Sequence, residues 1–356
     1  MKLKTLINRM PYYYKAGLCI YLKSPPGRGK TDTLISAADV IGKRLNKNMG
    51  YVVINGPLLT PQDAIGYLIP KYTETGAESC YTDPFWFKTR DGKKLSDFDG
   101  GIVIVDEADK MDTDTKKVIG EAALSGRLGP HVLHGGWIVW MAGNRTQDRS
   151  GSTKELDHLI NRRMELDITD DLEGWTEWAV LHNVMPLTIA FANQNPQIVF
   201  CEADPVKQGP WCTPRSLVLC DNYIQVVRDA TGDLPEDADT VEEAQGLIGT
   251  GPAAQYFAFI KLERQMPKFE KICAEPDKAP VPDKPDALML IAYNLAHRVD
   301  DKTITPVVKY MERMPKEFAV TFMKAAVTRK SSIVATPAVQ KWALENASLM
   351  AAIAKP

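Results

Sequence analysis

Apolar positions in the first half of the chain fall into two kinds of segment. Short, nearly unbroken apolar runs cover residues 18–22, 51–55, 102–105 and 137–142. Between them, at 31–45, near 61–67 and at 113–125, apolar residues recur every three to four positions. A continuous apolar run suits a parallel strand buried on both faces, and the longer recurrence is that of an amphipathic helix. Their alternation predicts a parallel sheet covered by helices on both sides, an α/β domain. The opening segment, with Pro11-Tyr12-Tyr13-Tyr14, reads as a helix and turn whose tyrosines pack in the core or at an interface. Residues 71–99 are polar and irregular, with Pro84-Phe85-Trp86-Phe87 their one apolar cluster, and read as an insertion or long loop rather than a sheet strand.

Beyond residue 168 the pattern becomes helical, at 172–183, 186–193, 214–229, 240–247 and 252–264. Segment 273–285 carries Pro276, Pro280, Pro282 and Pro285 among charges and reads as a linker. Helical stretches at 286–299 and 305–352 follow. The expected division is an α/β domain over 1–170 with an insertion at about 66–99, a helical lid over 171–272, a Pro-rich linker over 273–286 and a C-terminal helical region over 287–356.

Chemistry enters at Ser24-Pro25-Pro26-Gly27-Arg28-Gly29-Lys30-Thr31, placed between the first predicted strand and the first long helix. That context is the one a phosphate-cradling loop needs. Small residues let successive backbone N–H groups turn toward phosphate oxygens, and the helix N-terminus adds partial positive charge. Pro26, Gly27, Arg28 and Gly29 would line the cradle, Lys30 would reach the β and γ phosphates, and the Thr31 hydroxyl would ligate Mg²⁺. Ser24 stands where the pattern has its first glycine, which is compatible with the turn if its φ is negative. A second element is Ile102-Val103-Ile104-Val105-Asp106-Glu107, an apolar run ending in two carboxylates. Ligand-facing groups belong at the carboxyl end of such a strand. Asp106 would hold Mg²⁺, partly through water, and Glu107 would orient and deprotonate an attacking water. The pair predicts a nucleoside triphosphate with Mg²⁺ as ligands and hydrolysis of that triphosphate as the activity.

Composition narrows the setting. The chain has 356 residues, 44% hydrophobic and 25% charged, with a net charge of −2, so no basic field for non-specific nucleic-acid binding is present. No apolar run is long enough to cross a bilayer, and Met1-Lys2-Leu3-Lys4-Thr5 has no signal-peptide pattern. Six cysteines lie scattered without a C-x-x-C pair, which fits a reducing cytoplasm and no zinc template.

Three further positions complete a constellation. Asn144, after the strand that ends Met141-Ala142-Gly143, can donate and accept at once beside a γ phosphate and a water. Arg162 and Arg163 precede the last predicted strand, and Arg215 opens a helix after Thr213-Pro214. Arginine suits a transition-state contact because it is always charged and presents a planar fork.

Taken in order, SPPGRGKT at 24–31, TPQDAIG at 60–66, VIVDEAD at 103–109, AGNRTQDRSG at 142–151, LINRRMELDI at 159–168 and TPRSL at 213–217 resemble the AAA+ ATPases. Within these they look like the MoxR-like branch, especially the type found in prophages and beside von Willebrand factor A proteins. The similarity covers about residues 15–265. It implies a P-loop three-layer α/β fold with a helical lid and a C-terminal helical tail, and a hexameric ring with ATP at subunit boundaries. It assigns the Walker A role to Lys30 and Thr31, Walker B to Asp106 and Glu107, sensor 1 to Asn144 and sensor 2 to Arg215. The finger reaching the neighbouring subunit falls first to Arg162, with Arg163 the close alternative; the family has an aromatic residue where this chain has Arg163, and that departure leaves the choice between them open. A helix-2 insert and a pre-sensor hairpin are expected near 66–99 and 127–137. The preferred reading is a chaperone-like machine acting on a protein client or a von Willebrand factor A-domain partner. The alternative is a DNA-associated motor or helicase loader, phage-encoded, in which loops such as 88–94 or 328–330 meet phosphates.

Overall fold

The computed structural model describes residues 1–145, 157–201 and 209–347, apart from the side chain of residue 158. Residues 146–151 of the 142–151 segment, and 348–352 of the last expected helix, lie outside the described residues. The chain divides into two compact units, Met1–Asp171 and Leu172–Pro356.

The first unit is the α/β fold that the alternating pattern predicts. Its strands are β1 (Ile20–Lys23), β2 (Met49–Asn55), β3 (Leu68–Thr73), β4 (Gly76–Tyr81), β5 (Gly100–Asp106), β6 (Arg127–Leu128), β7 (His131–Val132), β8 (Trp137–Gly143) and β9 (Met164–Asp167). Five of them form one parallel sheet in the order β2-β5-β8-β1-β9. Register aligns the strand ends that matter: Asn55 lies beside Asp106, and Lys23 beside both Gly143 and Asp167.

Side chains alternate across this sheet. Ile20, Leu22, Ile102, Ile104, Trp140 and Ala142 join a core with α1 (Leu3–Lys15) and α2 (Lys30–Leu45), which supply Leu6, Met10, Leu34 and Ile41. Tyr21, Val52, Val103, Val105, Val139 and Met141 face the opposite way, toward Ala64 of α3 (Pro61–Ile65) and Ile119 and Ala122 of α4 (Thr113–Ser125). Burial on both faces explains why β5 is buried from Gly100 to Val105. Helix α4 starts where Asp112 accepts the N–H groups of Asp114 and Thr115 and stops at left-handed Gly126. A short α5 (Asp157–Ile160) precedes β9.

One segment differs from the pattern-based reading. Within the stretch read as irregular, β3 and β4 pair in an antiparallel hairpin, with Leu68 opposite Tyr81 and Thr73 opposite Gly76. All of its residues are exposed except half-buried Cys80. A strand with no buried face has no reason to alternate apolar and polar residues, so periodicity does not record it. The apolar cluster that follows is anchored separately, by fully buried Trp86, whose indole N–H donates to the Ala64 carbonyl at 3.1 Å. A second small hairpin joins β6 to β7.

The second unit is helical throughout its described residues. Its elements are α6 (Leu172–Leu181), α7 (Pro186–Gln194), α8 (Pro196–Val199), α9 (Pro214–Thr231), α10 (Ala238–Ile248), α11 (Thr250–Glu263), α12 (Phe269–Ala274), α13 (Pro285–Arg298), α14 (Ile304–Met311), α15 (Lys316–Arg329) and α16 (Pro337–Glu345). One hydrophobic core joins residues from Ala179 to Trp342. The Pro-rich stretch between α12 and α13 packs as a strap. Ala279 is fully buried, the Tyr310 hydroxyl donates to the Pro280 carbonyl at 2.7 Å, and Arg313 Nη1 donates to the carbonyls of Pro276 and Ala279 at 2.5 and 2.8 Å. Prolines give this stretch the composition of a linker. Its anchoring runs through backbone carbonyls, which composition does not display. No described helix is long and apolar enough to cross a membrane.

Candidate functional site

The loop from Ser24 to Lys30 leaves the carboxyl end of β1 and enters α2. Gly27 and Gly29 take φ of +74° and +78°, the left-handed region, and Gly29 is the N-cap of α2. Any side chain at these two positions would strain the turn. Ser24 is fully buried and is not among the positive-φ residues, so serine meets the condition for replacing glycine there. Its N–H donates to the Gly143 carbonyl at 3.4 Å, and its hydroxyl donates to the Pro25 carbonyl at 2.9 Å.

Lys30, only 8% exposed, sits inside the loop. Its Nζ donates to the Ser24 carbonyl at 2.9 Å, Ser24 Oγ at 3.0 Å, the Pro25 carbonyl at 3.1 Å and Asn144 Oδ1 at 3.2 Å. Thr31 Oγ1 donates to Asp106 Oδ2 at 2.8 Å. A hydroxyl and a carboxylate this close are hard oxygen donors of the kind Mg²⁺ prefers, and Mg²⁺ is commonly held by one or two such groups together with substrate phosphates. Among the described residues no cluster of three or more His, Cys, Asp or Glu could hold a metal ion by itself. The Thr31 hydroxyl and the Asp106 carboxylate fit Mg²⁺ bound with a nucleotide.

Glu107 follows Asp106 in an unusual conformation. Its φ is +51°, left-handed for a non-glycine residue, and its N–H donates to Asp106 Oδ1 at 3.0 Å. Such a conformation costs on the order of 1–3 kcal/mol and is typical of functional turns. Lys110 Nζ holds the Glu107 carboxylate at 2.8 Å. Asn144, 8% exposed, follows the last residue of β8, and its N–H donates to Asp109 Oδ1 at 3.0 Å. Lys30, Thr31, Asp106 and Asn144 thus meet at the carboxyl ends of β1, β5 and β8. The acidic motif by itself gives Asp109 no role; its place three residues after Asp106 is the signal that the sequence offers.

The two adjacent arginines separate clearly. The Arg163 side chain is 4% exposed, its Nη2 donates to Glu165 Oε1 at 2.7 Å, and its guanidinium lies 4.3 Å from the Tyr21 ring centroid. Glu165 also pairs with Lys23 at 2.6 Å. Burial would raise the Glu165 carboxyl, but hydrogen bonds from Lys23 and Arg163 outweigh it and hold the group below its ordinary value. Arg162 is exposed, and its side chain makes no hydrogen bond or ion pair among the described residues. In the loop itself, Arg28 Nε pairs with Asp170 at 2.9 Å, with 3% of the Arg28 side chain exposed. Arg215 belongs to the second unit. It is exposed in the first turn of α9, which a Thr213–Ser216 capping box fixes, with Thr213 accepting the Ser216 N–H at 3.1 Å.

Fold and loop together define a P-loop α/β protein. No protein-family model matches the sequence, and no curated protein matches it. Among solved structures, a candidate ATPase from Cytophaga hutchinsonii is 15% identical, with 69% of this chain and 81% of that chain covered at a TM-score of 0.34. The RuvB Holliday junction branch migration motor of Thermotoga maritima is 15% identical, with 87% and 86% covered at 0.38. NtrX from Brucella abortus is 15% identical, with 74% and 61% covered at 0.37.

Proposed function

We propose that this chain is an ATP-hydrolysing AAA+ ATPase of the MoxR-like type, working as a hexameric ring that remodels or activates protein partners. The observation that supports this most directly is the meeting of Lys30 Nζ with Asn144 Oδ1 at 3.2 Å beside a Thr31–Asp106 contact of 2.8 Å. A lysine, a hydroxyl, a carboxylate and an amide gathered at the mouth of a glycine loop match the needs of triphosphate chemistry. Gly27 to Thr31 would present backbone N–H groups to phosphate oxygens. Bound Mg²⁺, held by Thr31 and Asp106, would neutralise charge developing on those oxygens. Glu107, released from Lys110, would orient the attacking water and take its proton. Arg162 is open to a neighbouring subunit, whereas Arg163 is occupied by Glu165 and Tyr21. Arg215 is exposed in the first turn of α9.

The test is Glu107→Gln. It should bind Mg·ATP as the parent does while turnover falls below detection, and native mass spectrometry with Mg·ATP should show the ring. Equal loss of binding and turnover would argue against the role of Glu107, and a monomer under all nucleotide conditions would remove the ring. A turnover rate that rises with DNA length and falls with salt would point instead to a DNA motor.

A further inference from the structure

We propose that Asp109 is a positioning residue that sets Asn144 for phosphate contact, an inference resting on the ATPase reading for its kinetic consequence. Asp109 lies in the short turn Ala108–Lys110 after the acidic strand end and is 2% exposed. Burying a carboxylate is costly unless specific donors meet it. One donor is the Asn144 N–H, at 3.0 Å. A strand-end N–H could be met by water or a neutral carbonyl, but a charged acceptor makes a shorter and stronger bond. The carboxylate is also packed directly on the chain before Asn144: a Cβ added to Gly143 would stand 2.6 Å from Asp109 Oδ1. Glycine at 143 is therefore what lets the carboxylate approach. The Asp109 backbone is held in turn by the ammonium of Lys116, 3% exposed, whose Nζ donates to the Asp109 carbonyl at 3.4 Å.

The consequence lies in the direction of the Asn144 amide. Lys30 Nζ carries donors only, so the amide presents its oxygen to Lys30, as the 3.2 Å contact shows. The Asp109 clamp acts on the Asn144 backbone and does not depend on Lys30 keeping the amide oxygen, and Nδ2 has no partner among the described residues. That N–H₂ is the donor a γ phosphate or lytic water would meet. Asp109 acts through the Asn144 backbone and has no contact with substrate in this scheme.

The experiment compares Asp109→Ala and Asp109→Asn in the wild type and in an Asn144→Ala background. Asp109→Ala should lower kcat by about ten- to a hundred-fold with KM changed much less, the range expected when a reacting group is misplaced by a fraction of its length. Asp109→Asn keeps an acceptor oxygen and should recover most of kcat. In the Asn144→Ala background, Asp109→Ala should cost little more, because the residue it positions is gone. Hydrogen–deuterium exchange of the nucleotide-free protein supplies a readout independent of turnover: residues 143–145 should exchange faster in Asp109→Ala and near the parent rate in Asp109→Asn. An equal loss of kcat in both backgrounds overturns the inference, as does unchanged exchange in Asp109→Ala. A wild type that hydrolyses no Mg·ATP sinks the ATPase reading, while the exchange comparison still decides the positioning.

Discussion

Ser24 offers a sharp prediction because it replaces the glycine usual at the start of such a loop. Its hydroxyl accepts one of the contacts that hold Lys30, at 3.0 Å, and donates to Pro25 at 2.9 Å. The perturbation is Ser24→Ala, which deletes the hydroxyl and leaves the backbone alone. A hydrogen bond to a charged group contributes about 1.5–3 kcal/mol. The Lys30 ammonium has three protons and four acceptors within 3.2 Å, so losing one acceptor forfeits only part of that, about 1 kcal/mol. No buried acceptor is stranded, since the Pro25 carbonyl still accepts from Lys30 at 3.1 Å. The nucleotide-free protein should lose about 1 kcal/mol, a fall in Tm of roughly 2–4 °C for a unit of this size. On the ATPase reading the same contact must break when Lys30 turns to the β and γ phosphates, so its absence should tighten ATP by about five-fold. Titration calorimetry with Mg·ATP in a Glu107→Gln background measures this without turnover. AMP offers Lys30 no β phosphate, so its affinity should stay unchanged. An ATP affinity equal to or weaker than the parent's, with the Tm loss present, would refute the reasoning.

The Arg28–Asp170 pair should respond asymmetrically. Asp170→Asn leaves a guanidinium that is 3% exposed without its carboxylate and should cost about 2 kcal/mol, whereas Arg28→Met leaves a carboxylate that is 36% exposed and should cost about 1 kcal/mol. Thermal unfolding measures both, and the reverse order would remove the pair from the account. In the second unit, burial first, and then Arg329, Arg298 and Arg228, lowers the His297 pKa below its ordinary 6.5. The unfolded chain therefore binds this proton more readily, so stability is complete above 6.5 and falls as pH drops below it. His297→Gln should flatten that acid-side loss of Tm, and an unaltered slope would exclude His297 as its source. On the proposed ring, mixing inactive Lys30→Ala with inactive Arg162→Ala should restore some turnover, since some subunit boundaries would then pair an intact loop with an intact arginine. Substituting Arg163→Ala for Arg162→Ala in the mixture should restore none if Arg163 serves the fold of its own subunit.

Whatever depends on local pattern was legible in the sequence, and whatever depends on packing across strands was not. The sheet could be read because β5 and β8 are buried on both faces and so must be nearly all apolar. Helix α4 could be read to the residue, because Asp112 and Gly126 mark its ends chemically. The hairpin of β3 and β4 could not, since no buried face imposes alternation on it. The strap after α12 was hidden because Tyr310 and Arg313 hold its carbonyls, and any residue supplies a carbonyl. The sequence ranks Arg162 before Arg163 but gives no contact that separates them. Only the aromatic ring of Tyr21 on β1 and the carboxylate of Glu165 on β9 distinguish them.

The charged groups at the loop share a property that bears on how such a site could switch. Lys30 is held by Ser24, Pro25 and Asn144, Thr31 by Asp106, Glu107 by Lys110 and Arg28 by Asp170. Each side chain already has a protein partner, so a phosphate gains only the difference between its own contacts and those it displaces. That lowers affinity, yet it links binding to rearrangement. On the ATPase reading, drawing Lys30 toward a phosphate would break its bond to Asn144 Oδ1 and free an amide that Asp109 still holds in place by its backbone. The loop after β1 and the tip of β8 then change together, while the turn after β5 supplies the fixed point. On the ATPase reading, a ligand that engages Lys30 reorganises both strand ends, and one that reaches only the loop backbone leaves Asn144 where it was. Discrimination between nucleotides with and without distal phosphates would therefore be built into the resting contacts themselves.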